Sequence, residues 1–296
     1  TGGSGFIGRH AVQQLVERGY EVHALHFGEQ PLPDIKGCEW HIVNLLVSGE
    51  PTALINKLRP NYLLHFAWEA RPGIYWASPT NLDWVRASIE LVQSFYAAGG
   101  LRAVSAGSCA EYDWTGPGVL KEGGNNVPAT LYGAAKAGFN GIISKFAANQ
   151  HLSYAWGRIF FAFGSHEYPQ RLIPYVINTL LRKEPAETTI GTQTRDFIYV
   201  EDVASAFVAL LESECQSAVN IGSGEGVRLN RVTGRLAELL GSPELLRTGN
   251  RPTPEGEPDM LVADVSRLKN EIGFRPKYTM DQALEKTINW WEKQSH

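Results

Sequence analysis

Apolar residues in the first 160 positions recur with two different periods. Short, nearly continuous or alternating apolar runs at Glu21 to His26, Trp40 to Val43, Tyr62 to Phe66, Arg102 to Ala106 and Ser153 to Ile159 read as strands. Between them, apolar residues three and four apart mark helices at His10 to Arg18, Thr52 to Leu58, Leu82 to Ala98 and Tyr132 to Ala148. Gly19 and Gly99 close two of these helices. Strand and helix in strict alternation predict a parallel sheet covered by helices. Later the pattern loosens into a helix at Leu172 to Leu181, a strand and helix over Phe197 to Leu211, short helices at Val232 to Leu240 and Met280 to Glu292, and a loop rich in proline and charge at Arg251 to Asp259. The expected fold is α/β, a doubly wound parallel sheet built from residues 1–163 plus 195–222, with a smaller, discontinuous α/β domain from 164–194 plus 223–296.

Composition sets limits on function. The 296 residues are 43% hydrophobic and 20% charged, enough for a large core. A net charge of -4 disfavours nucleic acid or an anionic membrane as the main partner, so any polyanion must be met locally. Cys38, Cys109 and Cys215 are odd in number and far apart, which fits reduced thiols, and with no signal-peptide pattern or membrane-length apolar run the expected location is cytoplasmic. No metal site is expected: among eight histidines only His23 and His26 are close in sequence, and three residues apart on a strand they face opposite ways.

The chain opens on Gly2, Gly5 and Gly8 in the spacing G-x-x-G-x-x-G, followed by a helix. Such a turn brings backbone close to a pyrophosphate and presents the positive helix start to it. A turn of this kind follows a strand, so roughly half a dozen more apolar residues are expected upstream. The turn residues Gly2, Gly5, Phe6, Ile7, Gly8 and Arg9 are the first candidates for holding a dinucleotide. At the end of the second strand, where a carboxylate usually meets the adenosine ribose, stands His26. With Arg9 nearby this tips the choice between NAD and NADP slightly toward NADP, although a plain strand-end histidine fits almost as well. Asn44, beside Leu45, is a candidate for reading the adenine edge; a turn-forming Asn is the simpler account.

Tyr132 and Lys136 are four apart on a helix and point together. A neighbouring ammonium and a positively charged nicotinamide both favour phenolate, so Tyr132 suits acid/base work and Lys136 the cofactor ribose. Ser108 follows the fourth strand, where ligands bind in open parallel sheets, and can donate a hydrogen bond to a reacting oxygen.

These motifs, with His65-Phe-Ala67 and Arg195-Asp-Phe-Ile-Tyr-Val-Glu-Asp202, resemble the extended short-chain dehydrogenase/reductases, the nucleotide-sugar epimerases, dehydratases and 4-ketoreductases. The resemblance spans the chain. It implies a Rossmann-type sheet with a substrate domain, a catalytic set of Ser108, Tyr132 and Lys136, cofactor contacts through the backbones of Phe66 and Ala67, and a homodimer seam on the helices Leu82 to Ala98 and Tyr132 to Ala148. Arg195 and Arg251 fall where the family's diphosphate-binding arginines lie, so with Ser108 they form the expected substrate set; the other reading pairs Arg195 with Asp196 or Glu201. Dehydratases of the family carry an Asp-Glu pair after the catalytic Ser or Thr, and here Cys109 and Ala110 stand there, which disfavours dehydration. Cys109 reads as a small buried residue, and Glu111 either faces the site or is solvated. In Arg158 to Ser165, Phe161 stands where the family often has a substrate-contacting Asn, and Ser165 where it has Pro. Trp68, Tyr75 and Trp76 supply aromatic faces that stack on a ligand or on one another. The reading that results is an NAD(P)-dependent nucleotide-sugar epimerase or 4-ketoreductase. A noncatalytic redox sensor is the alternative, and it would have no need of Ser108, Tyr132 and Lys136.

Overall fold

The computed structural model describes residues 1–28, 32–116 and 118–294, so the last two residues of the expected 223–296 segment lie outside it. The first half contains α1 (Gly8–Glu17), β1 (Val22–His26), β2 (Cys38–Ile42), α2 (Glu50–Leu58), β3 (Tyr62–His65), α3 (Thr80–Ala97), β4 (Arg102–Ser108), β5 (Val119–Leu120), α4 (Leu131–Gln150) and β6 (Ser153–Ile159). Then come β7 (Phe161–Phe163), α5 (Leu172–Leu181), β8 (Ala186–Thr188), β9 (Thr194–Tyr199), α6 (Val200–Glu212) and β10 (Ala218–Ile221). The chain continues through β11 (Gly226–Arg228), α7 (Leu229–Leu239), β12 (Leu246–Thr248), β13 (Met260–Ala263), α8 (Ser266–Asn270) and α9 (Met280–Gln294). The strands and helices expected in the first 160 residues are all present.

Strands β10, β6, β4 and β3 pair in that order, all parallel, and β1 pairs in parallel with β2. Residues 1–3 join the two sets: the Gly3 N–H donates to Leu25 O at 3.3 Å, and the Phe66 N–H to Thr1 O at 3.3 Å. Helices cover both faces. Ala11, Leu15, Val203 and Phe207 of α1 and α6 pack with Val104, Ala106 and Val219 on one side. On the other, Ile55, Leu91, Phe95, Phe139 and Ile143 of α2, α3 and α4 pack with Tyr154 and Trp156. Each large apolar side chain buried in this way contributes about 1.5–3 kcal/mol.

A second sheet forms around β9, which pairs with β11 (antiparallel), β13 and β7, while β13 also pairs with β5. Its core draws Ile173, Ile177 and Leu180 from α5, Val232 and Leu236 from α7, and Leu284 from α9. The return of 195–222 to the first sheet is therefore shared: α6 and β10 return, but β9 belongs to the second sheet, as does β7. β9 serves both cores, because Phe197 and Tyr199 face the second while Ile198 faces the first. Among the described residues no helix is long and apolar enough to cross a membrane.

Candidate active site

The glycine turn lies at the carboxyl ends of β1 and β3, where His26 meets Ser4 and His65 Nδ1 lies 2.7 Å from Thr1 Oγ1. Gly2 has φ +67°, and a Cβ there would stand 2.8 Å from the Ala67 N. At Gly8 a Cβ would stand 2.0 Å from the Gly2 carbonyl oxygen, so the turn closes on itself only without side chains. Helix α1 has Ile7 at its N-cap with no side-chain cap, and although the Arg9 N–H donates to Gly5 O at 3.3 Å and the His10 N–H to Ile7 O at 3.1 Å, the positive end of the helix faces the turn. Phe6 and Ile7 pack against the core under α5, α7 and α9, and Phe66 meets the Phe207 ring at 4.8 Å. An uncapped helix start and a cradle that side chains would fill both suit a dinucleotide pyrophosphate.

The lean toward NADP finds no support at this turn. His26 is buried, and both ring nitrogens are engaged, Nδ1 with Ser4 Oγ at 2.7 Å and Nε2 with Gly28 O at 3.0 Å. Arg9 is committed to Gly5 O at 3.2 Å, Ser4 O at 2.6 Å and His166 Nδ1 at 2.6 Å. Neither group is held ready for a 2′-phosphate. Asn44 takes the simpler reading: its Oδ1 accepts from Leu46 N–H at 3.0 Å, a turn bond, and the Leu45 side chain is buried.

Ser108 ends β4 and caps a short 3₁₀ turn, Cys109–Glu111, its Oγ accepting from Ala110 N–H at 3.2 Å. Helix α4 then brings Tyr132 against that turn. Its Thr130 cap accepts from Gly133 N–H at 3.1 Å, and Gly133 admits the Ala110 carbonyl, which would lie 2.1 Å from a Cβ. The Tyr132 N–H donates to Trp76 O at 3.1 Å, tying in the aromatic loop. The Tyr132 ring is half-buried, 4.9 Å from the Tyr75 ring and 5.7 Å from that of Trp76, and its hydroxyl lies near enough to Ser108 for that side chain to favour the phenolate. Lys136 is buried with its Nζ 3.8 Å from the Trp68 ring centre and 5.9 Å from that of Tyr132, and it donates to Ala106 O at 2.8 Å. The structure thus brings Ser108, Tyr132 and Lys136 together.

Their electrostatics differ from the expectation. Burial, then Tyr75, pushes the Tyr132 phenol above its usual range, and the nearby Ser108 side chain only offsets this. Burial also lowers Lys136 to about 7. A desolvated amine satisfied by a carbonyl does not by itself make the phenol acidic.

Glu111 is neither solvated nor in the pocket. Fully buried, it pairs with Arg158 Nε at 2.8 Å and accepts from Trp156 Nε1 at 2.9 Å and from Ser108 N–H at 2.8 Å. Burial pushes its carboxyl up, while Arg158 and the N–H donors pull it back. Arg158 also donates to Tyr112 Oη at 3.1 Å, and Tyr112 to Asn220 Oδ1 at 2.6 Å. This network holds the backbone of Ser108 and was missed in sequence; the signal was the pleat register of β4 and β6, which sets Gly107 opposite Arg158. Cys109 is buried as expected, and burial raises its thiol to about 12.

Arg195 is buried and pairs with Glu257 at 2.8 Å, not with Asp196 or Glu201. Asp196 instead accepts from the Ser223, Gly224 and Ala263 N–H groups. Arg251 is exposed, donating to Tyr175 Oη at 2.8 Å. Trp290 meets His166 at 4.5 Å and Trp291 at 4.8 Å, packing the last helix.

The sequence profile described as NAD dependent epimerase/dehydratase family matches residues 1–222. The chain belongs to this family. The resemblance to the extended short-chain dehydrogenase/reductases is thereby borne out. This family member is 26% identical over 324 residues to the dTDP-glucose 4,6-dehydratase of Xanthomonas campestris pv. campestris, covering 98% of this chain and 92% of that protein. To the UDP-glucose 4-epimerase of Corynebacterium glutamicum it is 25% identical over 304 residues, covering 94% of this chain and 90% of that one. Among solved structures it is similar to MoeE5 in complex with UDP-glucuronic acid and NAD, with a TM-score of 0.83, 28% identity, and 99% and 98% of the two chains covered.

Proposed function

We propose that this protein is an NAD-dependent nucleotide-sugar epimerase or 4-ketoreductase that transfers hydride at a sugar carbinol carbon, with Tyr132 as its acid/base. The observation that carries this reading is Tyr132 standing beside Ser108 at the carboxyl edge of β4, close enough for the Ser108 hydroxyl to favour the phenolate, with Lys136 one helical turn along. Relatives named for UDP- and dTDP-sugars, and a similar structure holding NAD, support the substrate class and the choice of NAD. Bound at the glycine turn, the oxidised cofactor would accept hydride, and its pyridinium charge would supply the field that favours phenolate.

Each residue has a defined task. With its pKa raised, Tyr132 stands protonated near pH 7, ready to give its proton to a developing alkoxide; in the other direction it takes the hydroxyl proton. Ser108 shares that oxygen and steadies its charge. Lys136 directs the cofactor ribose. Cys109 and Ala110, in the places where the family's dehydratases carry Asp and Glu, leave no acid/base pair for losing water. Arg195 and Arg251 meet the diphosphate, which requires Arg195 to exchange its bond to Glu257 for a phosphate oxygen.

Mass spectrometry of ligands retained by the purified protein, followed by turnover assays on nucleotide sugars and their 4-keto forms with either cofactor, tests the reading. An epimerase turns over without added reduced cofactor, whereas a reductase consumes it stoichiometrically. No turnover in any combination contradicts both.

Arg251→Ala is expected to weaken nucleotide-sugar binding about tenfold while leaving dinucleotide binding unchanged, as loss of one charge-assisted bond implies. Calorimetric titration with each ligand checks it, and equal losses would remove Arg251 from the substrate site. Lys136→Met separates function from stability. The folded pKa of Lys136 is lowered from 10.5 to about 7, so its contribution to stability is fully present above 10.5 and is lost as pH falls toward 7. Removing the amine is expected to abolish this pH slope in denaturant unfolding, with no loss of stability at pH 7, while turnover falls by at least ~100-fold.

A further inference from the structure

Residues alternate in direction along a strand, so His26 turns toward Ser4 and His23 toward the opposite face of β1. That is the face on which Leu25 packs into the core of α2, α3 and α4. The parallel register sets Glu39 opposite His23, and His41 opposite Leu25, one pleat further along the same face. Three side chains from two strands therefore converge. His23 Nδ1 lies 3.0 Å from His41 Nε2, and the Glu39 carboxylate oxygens lie 3.5 Å from His23 Nδ1 and 3.6 Å from His41 Nε2.

These separations match a metal polyhedron. Ligand atoms about 2.0–2.1 Å from a tetrahedral zinc ion stand about 3.3–3.4 Å from one another. A second observation fixes the proton: Glu21 Oε1 lies 3.1 Å from His23 Nε2, so it accepts that N–H and leaves the Nδ1 lone pair facing His41 and Glu39. A carboxylate behind a ligating imidazole is the usual outer support of a metal-bound histidine. The histidine side chains are 18% and 12% exposed and Glu39 64%, so the ligands are held by the sheet with one side open to water.

We propose that His23, His41 and Glu39 form a site for a divalent transition-metal ion of the zinc class, with its fourth position open to solvent, that clamps β1 to β2. The site lies across the sheet from the glycine turn and takes no part in hydride transfer. Its occupancy stiffens the strand pair whose carboxyl end carries His26. Without an ion, the same contact is a hydrogen bond from His41 Nε2–H to His23 Nδ1.

The test is titration of chelator-treated full-length protein with Zn²⁺ by calorimetry, with metal counted by elemental analysis. One equivalent should bind saturably, and at an excess of about 100 times Kd the melting temperature should rise by roughly 5 °C. His41→Ala should abolish stoichiometric binding. Glu21→Gln, which keeps the three ligands, should weaken binding by at least about tenfold. Glu39→Gln conserves shape on the edge strand and should also weaken binding, so the test stands even if His41→Ala folds poorly. Absence of saturable one-to-one binding, or affinity unchanged in both Glu39→Gln and Glu21→Gln, overturns the proposal.

Discussion

Replacing Tyr132 with phenylalanine is expected to lower turnover by at least ~100-fold, the scale of acid/base catalysis, with dinucleotide affinity near normal. The ring makes its packing contacts with Tyr75, Trp76 and Trp68 through carbon atoms that phenylalanine retains. Only the hydroxyl and its interaction with Ser108 are removed. Steady-state turnover of the best nucleotide sugar, with cofactor binding followed separately by fluorescence, reads the two effects apart. Unchanged turnover would take Tyr132 out of the mechanism, whereas equal loss of cofactor binding would make its role one of packing.

The largest expected effect on stability comes from Glu111→Ala. Glu111 is fully buried and Arg158 nearly so, and removing the carboxylate leaves the guanidinium uncompensated at a cost of about 3–5 kcal/mol. Trp156 Nε1 and the Ser108 N–H lose their acceptor at the same time. Because Ser108 loses the bond that fixes its backbone, activity should fall in whatever fraction remains folded. Urea unfolding of the wild type, Glu111→Ala and the isosteric Glu111→Gln provides the check, with Gln expected to lose less than Ala. A loss below about 1 kcal/mol in Glu111→Ala would show the pair to be no better than a surface ion pair.

Residues that act along one element were legible in the sequence. Helix α4 carries Tyr132 and Lys136 at a fixed spacing, and Ser108 is marked by the end of a strand, so the trio could be assembled before any fold was seen. Residues whose partners come from distant elements were not. His26 and Arg9 look like free polar groups beside the turn, yet their partners are Ser4, Gly28 and His166, and that removes the case for a 2′-phosphate site. Glu111 meets Arg158 only because β4 and β6 pair in a register that sets Gly107 opposite Arg158; a Cβ at Gly107 would stand 2.2 Å from Trp156 Nε1 and 2.5 Å from Glu111 Oε1. His23 gains His41 and Glu39 in the same way, from a neighbouring strand. For β9, the apolar run Phe197 to Val200 is compatible with either sheet, and the strand in fact contributes side chains to both cores.

Hydride movement itself is the most direct measurement. Protein loaded with NAD⁺ is mixed rapidly with UDP- and dTDP-hexoses carrying deuterium at C4, nicotinamide reduction is followed optically, and the cofactor is then weighed by mass spectrometry. The expected result is deuterium on the nicotinamide with at least one sugar, and none in Tyr132→Phe on the same timescale. Product formation with the label never leaving the sugar, or equally fast transfer in Tyr132→Phe, would contradict a Tyr132-assisted oxidation at the sugar carbon.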